Sequence, residues 1–425
     1  MTNSTVAALS NAGAFAKRFY LGFVLTTSVA VSIANAATIN VPADQPTIQA
    51  GINAASNGDT VLVAPGTYTE NINFMGKAIT VTSSAGAKTT IIDGGQVAPV
   101  ATFSSGEGSK SILRRFTLQN GVATVDSSFG GGGVSIGGSS PTIADNIIQN
   151  NSACGDGGGI AVSAGSPLIK DNTIKNNFQS GCEGGIGGGG IAVLSAGSAQ
   201  IIGNKIQNNA WPGNGGGIAL DAAGTPTIMN NIISNNSAAG GQGGGIYIIN
   251  DSTNALIVQN LFYGNTGSQG GAIYLGIPDG SPPPVLVNNT IIGGTGATQG
   301  SAVYATGFDS HVQFFNNLMI GLSGQNAVYC DGTYSHKPPT FTNNDAYSPS
   351  GSGLEGTCAS ESKKNGNISL DPLFVNPKHN KYQLQSGSPA INTGDISAPD
   401  LPKKDLAGKP RTVDGTVDMG AYESQ

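Results

Sequence analysis

Three groups of side chains in this sequence have types and spacings suited to chemistry. Asp145 and Asp171 each stand immediately before an asparagine, Asn146 and Asn172, and Arg114 lies at the related place one segment earlier. If the chain stacks these segments, the two carboxylates repel, which raises the pKa of one or recruits Ca²⁺. Such a site would hold a general acid and a general base, or a metal bridging an acidic sugar. The candidate catalytic residues are therefore Asp145, Asp171 and Arg114. The other reading is an exposed polar corner, where Asp, Asn and Gln serve as turn formers.

The second group is Tyr247, Tyr274, Tyr304 and Tyr329. Each follows an apolar residue, Ile246, Ile273, Val303 or Val328, at a place that earlier segments fill with Ala161, Ala192 and Ala219. Strand alternation turns the tyrosines outward while their neighbours point in. A column of such rings suits the apolar faces of sugars, which makes these four the candidate substrate-binding residues; a self-packing ladder is the alternative. The third group is acidic and C-terminal: Asp395, Asp400, Asp405, Asp414, Asp418 and Glu423, with Arg411 among them. It reads either as a calcium site or as a cap held by Arg411–carboxylate pairs.

The elements that must position these residues are repeats. One asparagine recurs as Asn146, Asn172, Asn204, Asn231, Asn260, Asn289, Asn317 and Asn344, at steps of 26 to 32 residues. Arg115 takes the equivalent place in an earlier copy. The unit reads Gly-Gly-Gly-Ile-x-Val, then Pro-Thr-Ile-x-x-Asn-x-Ile-x-x-Asn. Its apolar residues alternate with a period of two, which is a strand signal. Two or three short strands per unit, with a single Trp in the whole chain, fit a stacked coil better than a propeller blade. The expected fold is all-β, a right-handed parallel β-helix solenoid with a short N-terminal capping helix. Asn at a bend can stack on itself in an amide ladder. Gly supplies the positive φ of the tight corners.

Composition agrees. Glycine is abundant (65 residues) and charge is sparse (10%), unlike a helical bundle, while 38% apolar residues are too many for disorder. The net charge of -6 is scattered, with no basic patch, so no nucleic-acid partner is expected. Lys17 and Arg18 followed by apolar residues from Phe19 to Ile33 and by Ala34-Asn35-Ala36 predict a signal peptide over 1–36, cleaved after Ala36. The mature chain is expected to be secreted or periplasmic, without a membrane span. Residues 37–60 read as an N-terminal cap, with Asp44 capping a helix and Ile48, Ile52 and Ala55 on one face. Residues 61–370 read as the β-helix repeats and 371–425 as a closing cap. The four cysteines fall in pairs 28 positions apart, about one repeat. In an oxidising compartment this predicts Cys154–Cys182 and Cys330–Cys358 disulfides, with free thiols as the alternative.

The run Thr47-Ile48-Gln49-Ala50-Gly51-Ile52, followed by Gly58-Asp59-Thr60-Val61-Leu62-Val63-Ala64-Pro65-Gly66-Thr67-Tyr68-Thr69-Glu70, resembles the opening of pectin-lyase-fold proteins, pectin methylesterases among them. The ending, Asp371-Pro372-Leu373-Phe374-Val375, Gly387-Ser388-Pro389-Ala390-Ile391-Asn392-Thr393-Gly394-Asp395 and Asp418-Met419-Gly420-Ala421-Tyr422-Glu423, is similar to the choice-of-anchor Q region of bacterial exported β-helix proteins. The resemblance implies the fold; this fold carries lyases, hydrolases, esterases and non-enzymes alike. The paired Asp and Gly-His-Gly of polygalacturonases do not occur, and His311, His336 and His379 lack such a setting. Beyond the signal peptide only Arg114, Arg115 and Arg411 remain to serve a lyase as base.

The leading expectation is an exported, non-catalytic β-helix monomer that binds polysaccharide. A polysaccharide lyase or glycoside hydrolase is the alternative. A periplasmic accessory protein of the copper-delivery type, which shares such repeats, is the third reading, against which the lack of a Met/His cluster counts. No cofactor is expected, calcium apart, and no metal site of Cys/His spacing.

Overall fold

Alternation turns every second side chain inward, and the repeat sets each inward residue above its counterpart. A computed structural model describes residues 36–425 apart from 125–129, 182–183, 196, 250–252, 279–282, 308–310 and 335. The chain winds as a parallel β-helix. The strands of its coils form one twelve-stranded, two eleven-stranded and one six-stranded sheet, with consecutive coils paired in parallel, and Phe374–Asn376 and Lys381–Leu384 form a separate antiparallel pair. Within a coil the order is illustrated by Thr142–Ala144, Ile147–Gln149, Ser152–Ala153 and Ile160–Ser163, one strand in each sheet. One inward column on the twelve-stranded sheet includes Ile143, Ile169, Ile201 and Ile228 in register, all fully buried. The predicted signal peptide lies outside the described residues except for Ala36.

Two buried asparagine ladders hold the corners. In the first, Asn172 Nδ2 donates to Asn204 Oδ1 at 3.0 Å, and Asn204 Nδ2 donates to Asn231 Oδ1 at 3.0 Å. The same oxygens accept from the backbone N–H of the coil before, so one side chain serves three partners. The second runs from Asn151 through Asn177, Asn209 and Asn236 to Asn265. The first copy of the repeat differs by one residue from the sequence alignment. Phe116, not Arg115, takes the ladder place, and its N–H donates to Asn146 Oδ1 at 3.0 Å.

At the N-terminal end the helix Ile48–Ala54 covers the first coil with Ile48 and Ile52 fully buried. Its cap is Thr47, whose hydroxyl accepts from Ala50 N–H, and not Asp44. Asp44 instead holds the backbone and side-chain amides of Asn40. Glu70 serves the helix from below, accepting from Ile48 and Gln49 N–H at 2.9 Å each.

At the other end Cys330 and Cys358 are joined across adjacent coils, with Cα atoms 5.6 Å apart. Cys182 of the other predicted bridge lies outside the described residues. The segment from Asp371 onward lies along the flank of the later coils. Its Ala398 packs on Val258 and Val287, and its Ala390 and Met419 pack on Leu318, covering apolar side chains that point out of the solenoid.

Candidate functional site

The outward face of one eleven-stranded sheet changes character along its length. The strand Ile218–Asp221 carries Ala219 outward, and Ile246–Ile249, Ile273–Gly276, Val303–Thr306 and Val328–Cys330 carry Tyr247, Tyr274, Tyr304 and Tyr329 at the same register. The inward neighbours Ile246, Ile273, Val303 and Val328 are fully buried. Successive ring centroids are 5.2, 5.4 and 5.5 Å apart, with planes inclined by only 4–23°. The rings therefore stack on one another. Stacking takes both ring faces of the two middle rings, Tyr274 and Tyr304, and Tyr247 at the start of the ladder is only 5% exposed. A ligand meets this ladder at its edges and hydroxyls, which differs from the open platform expected of outward tyrosines.

One opening lies beside it. Two residues past each tyrosine, the outward column reads Ile249, Gly276, Thr306. Glycine removes the side chain from the middle of that column and leaves a notch of about 330 Å³. Its described lining is Ile249, Tyr274, Gly276, Pro278, Thr306, Gly307 and Tyr334. A Cβ on Gly276 would lie 3.0 Å from the Tyr274 ring, so the glycine makes room for the notch. Tyr334 stands over it, 77% exposed.

Asp331 sits at the rim. Its Oδ2 accepts from Tyr304 Oη at 3.1 Å and Thr306 Oγ1 at 3.3 Å. Its Oδ1 accepts from Thr333 N and Oγ1 at 3.0 and 2.7 Å. Partial burial works to raise its pKa, and these hydrogen bonds outweigh it, holding the carboxyl below the usual Asp value. Burial, and then the neighbouring Tyr247, push the Tyr274 hydroxyl up to about 12. Tyr304 is raised by burial and by Asp331. Both hydroxyls hold their protons; that of Tyr304 is given to Asp331, which leaves Tyr274 to donate to a ligand. Ile249, Gly276, Thr306, Asp331 and Tyr334 were not singled out in the sequence. The readable signal was the missing side chain at Gly276 between Ile249 and Thr306 in aligned repeats.

Asp145 and Asp171 do stack, in successive coils, and Arg114 reaches Asp145 at 4.0 Å from a neighbouring position. Their column is Arg115, Asp145, Asp171, Gly203, Asn230, Gln259, Asn288, Asn316 and Asn343, and every member has a φ of 52–69°. A left-handed corner repeated at every coil favours Asn, Asp and Gly, which accounts for most residue types in the column. Asp171 also borders a polar cleft with Lys205, Lys404 and Asp405. In the C-terminal acidic group, Asp405 accepts from Lys409 and Glu423 N–H, and Asp418 from Asn392 and Ser424 N–H. Arg411 and Glu423 form a fully buried pair at 3.3 Å. These carboxylates are spent on backbone amides and on Arg411.

The family model described as "Periplasmic copper-binding protein (NosD)" matches residues 52–270, just over half of the 425 residues. The chain belongs to the NosD family. No curated protein matches it. Among solved structures, this NosD-family chain is similar to the pectate lyase Pel9A, at 17% identity and a TM-score of 0.52, with 88% of this chain and 90% of that one covered. At that identity the likeness shows the fold, a pectate-lyase-like parallel β-helix. A mannuronic acid specific family 6 polysaccharide lyase from human gut microbiota matches more loosely, at 13% identity and a TM-score of 0.39, with 81% of this chain and 93% of that one covered.

The NosD description names copper, which takes imidazole, thiolate or thioether donors gathered at one point. Among the described residues no group of three His, Cys, Asp or Glu side chains is placed to hold an ion. Cys330 and Cys358 are bound to each other, and Met319 and Met419 are fully buried. The described residues of this NosD-family chain do not fit a copper centre.

Proposed function

We propose that this protein is a non-catalytic accessory β-helix of the cell envelope that holds a sugar unit of a glycan in the notch over Gly276. The observation that carries this reading is the notch itself: a side-chain gap in a rigid coil, walled by Tyr274, Ile249, Pro278 and Tyr334, with Thr306 and Asp331 at its edge. Apolar walls take the C–H faces of a sugar ring, and a few placed hydroxyl and carboxylate groups fix its orientation. The stacked tyrosines keep the wall rigid, so little side-chain entropy is lost on binding. Glycoside hydrolysis uses two carboxyl groups flanking the bond; the described notch offers one, already bound by four donors.

The family description supports a periplasmic location, reached through the signal peptide predicted to end at Ala36. In this reading residues 37–60 cap one end, 61–370 form the coils and 371–425, similar to a choice-of-anchor Q region, clasp and close the other. The test is retention of the purified mature protein in affinity gels cast with a panel of polysaccharides, alongside an assay of product release. Retention without product is expected. Release of product overturns the non-catalytic reading, and no retention on any gel overturns the saccharide reading.

A further inference from the structure

We infer that the notch selects an uncharged sugar ring and rejects uronates, with Asp331 as the residue that sets this choice. The inference rests on the saccharide reading above and adds the class of sugar. None of the described lining residues carries a positive charge. The polar groups in reach are hydroxyls of Tyr274 and Thr306 and, one hydrogen bond behind Thr306, the Asp331 carboxylate. That carboxylate cannot turn away. Thr333 holds one oxygen twice, and Tyr304 and Thr306 hold the other. The Tyr304 hydroxyl that touches it belongs to the stacked ladder, so the charge is fixed to the coil.

A uronate ring seated against Tyr274 brings its own carboxylate to a rim that already carries a negative charge. No described lining group pairs it, and the apolar walls reduce the screening that water would give. An uncharged ring meets the opposite situation. Its hydroxyls can donate to Thr306, whose own proton is held by Asp331, and accept from Tyr274, and the Asp331 carboxylate keeps its four partners. The likeness to a pectate lyase lies in the coil and leaves this notch to be read from its own groups.

The test is calorimetric titration of the mature protein with neutral gluco- and galacto-oligosaccharides and with oligogalacturonate and oligomannuronate, at low and moderate salt. The wild type is expected to bind a neutral oligosaccharide at least about tenfold tighter than either uronate. Its weak uronate binding is expected to strengthen as salt screens the repulsion. Asp331→Asn keeps the shape of the rim and removes its charge, so it should close most of that gap by tightening the uronate. Thr306→Lys adds a cation at the same edge and should do so independently, which covers a misfolded Asp331→Asn. A wild type that prefers a uronate, or uronate affinity unmoved in both variants, overturns the selection by charge and leaves the saccharide reading standing. Binding of neither class overturns both.

Discussion

Arg411 and Gln259, 152 residues apart in the chain, are joined by two hydrogen bonds, from Nε at 3.0 Å and Nη2 at 2.8 Å to the same Oε1. Gln259 Nε2 in turn donates to the Lys404 carbonyl at 2.7 Å and to Asn230 Oδ1 at 2.8 Å. One amide on the coil therefore anchors the C-terminal segment through a buried guanidinium paired with Glu423. Arg411→Ala leaves Glu423 buried without its partner, at a cost of about 3–5 kcal/mol. The expected result is a lower denaturation midpoint with earlier proteolysis inside 371–425. Arg411→Lys should be intermediate, since an ammonium cannot span both Gln259 and Glu423 with a fork.

Stability should fall as the pH rises from about 4 to about 7. Asp345 Oδ1 accepts from Leu370 N–H at 3.1 Å, while Oδ2 is buried with no partner among the described residues. Burial pushes this carboxyl up to about 7 from its ordinary 3.8. Burial, against the pull of Arg411, likewise takes Glu423 from 4.5 to about 7. The folded state thus binds these protons more tightly than the unfolded chain. Their contribution is full below about pH 4 and is lost as pH rises through about 7. The thermal midpoint should be higher at pH 5 than at pH 8, and Asp345→Asn should flatten the difference. Equal pH dependence in wild type and variant would exclude Asp345 as a source.

Each ladder asparagine should be costly to remove. Asn204→Ala strips the acceptor from Asn172 N–H and Nδ2 and the donor from Asn231 Oδ1 and the Ile169 carbonyl, all inside the coil. A loss of about 3 kcal/mol is expected, read from urea unfolding. A change under about 0.5 kcal/mol, typical of surface sites, would show that the ladder is ornamental to stability.

The fold was legible because a coil repeats its requirements. Inward Ile, ladder Asn and corner Gly recur wherever the backbone recurs, and the tyrosine register follows from the same count. The errors have local causes. Arg115 was aligned one place late because the first copy fills the ladder with Phe116, which offers no amide to match. Asp145 and Asp171 drew attention as paired acids, whereas a left-handed φ at every corner already favours such residues. The anchorage of the C-terminal segment is not legible in the sequence, since Arg411 meets Gln259 and the Asp418 carbonyl meets Asn288, each more than a hundred residues away. The notch was hardest to see: it is made by a side chain that is missing, and Gly276 is one of 65 glycines.

The Cys330–Cys358 bridge closes a loop of 28 residues at the last coils. A cross-link of that span contributes about 3 kcal/mol. Replacing Cys330 and Cys358 together with Ser should lower the unfolding midpoint and loosen the coil end first, visible as faster amide exchange between residues 328 and 358.

The measurement that bears most directly on the proposed function is neutral oligosaccharide binding by Gly276→Val beside the wild type. Ile249 and Thr306 occupy the same register in the coils on either side, so this strand position accepts a branched side chain, and valine favours strands. The valine Cβ would lie 3.0 Å from Tyr274, so that ring must shift slightly, and the methyl groups would fill the notch beside it. A folded protein whose affinity falls by at least about tenfold is expected. A folded Gly276→Val that binds as well as the wild type would contradict the proposed function.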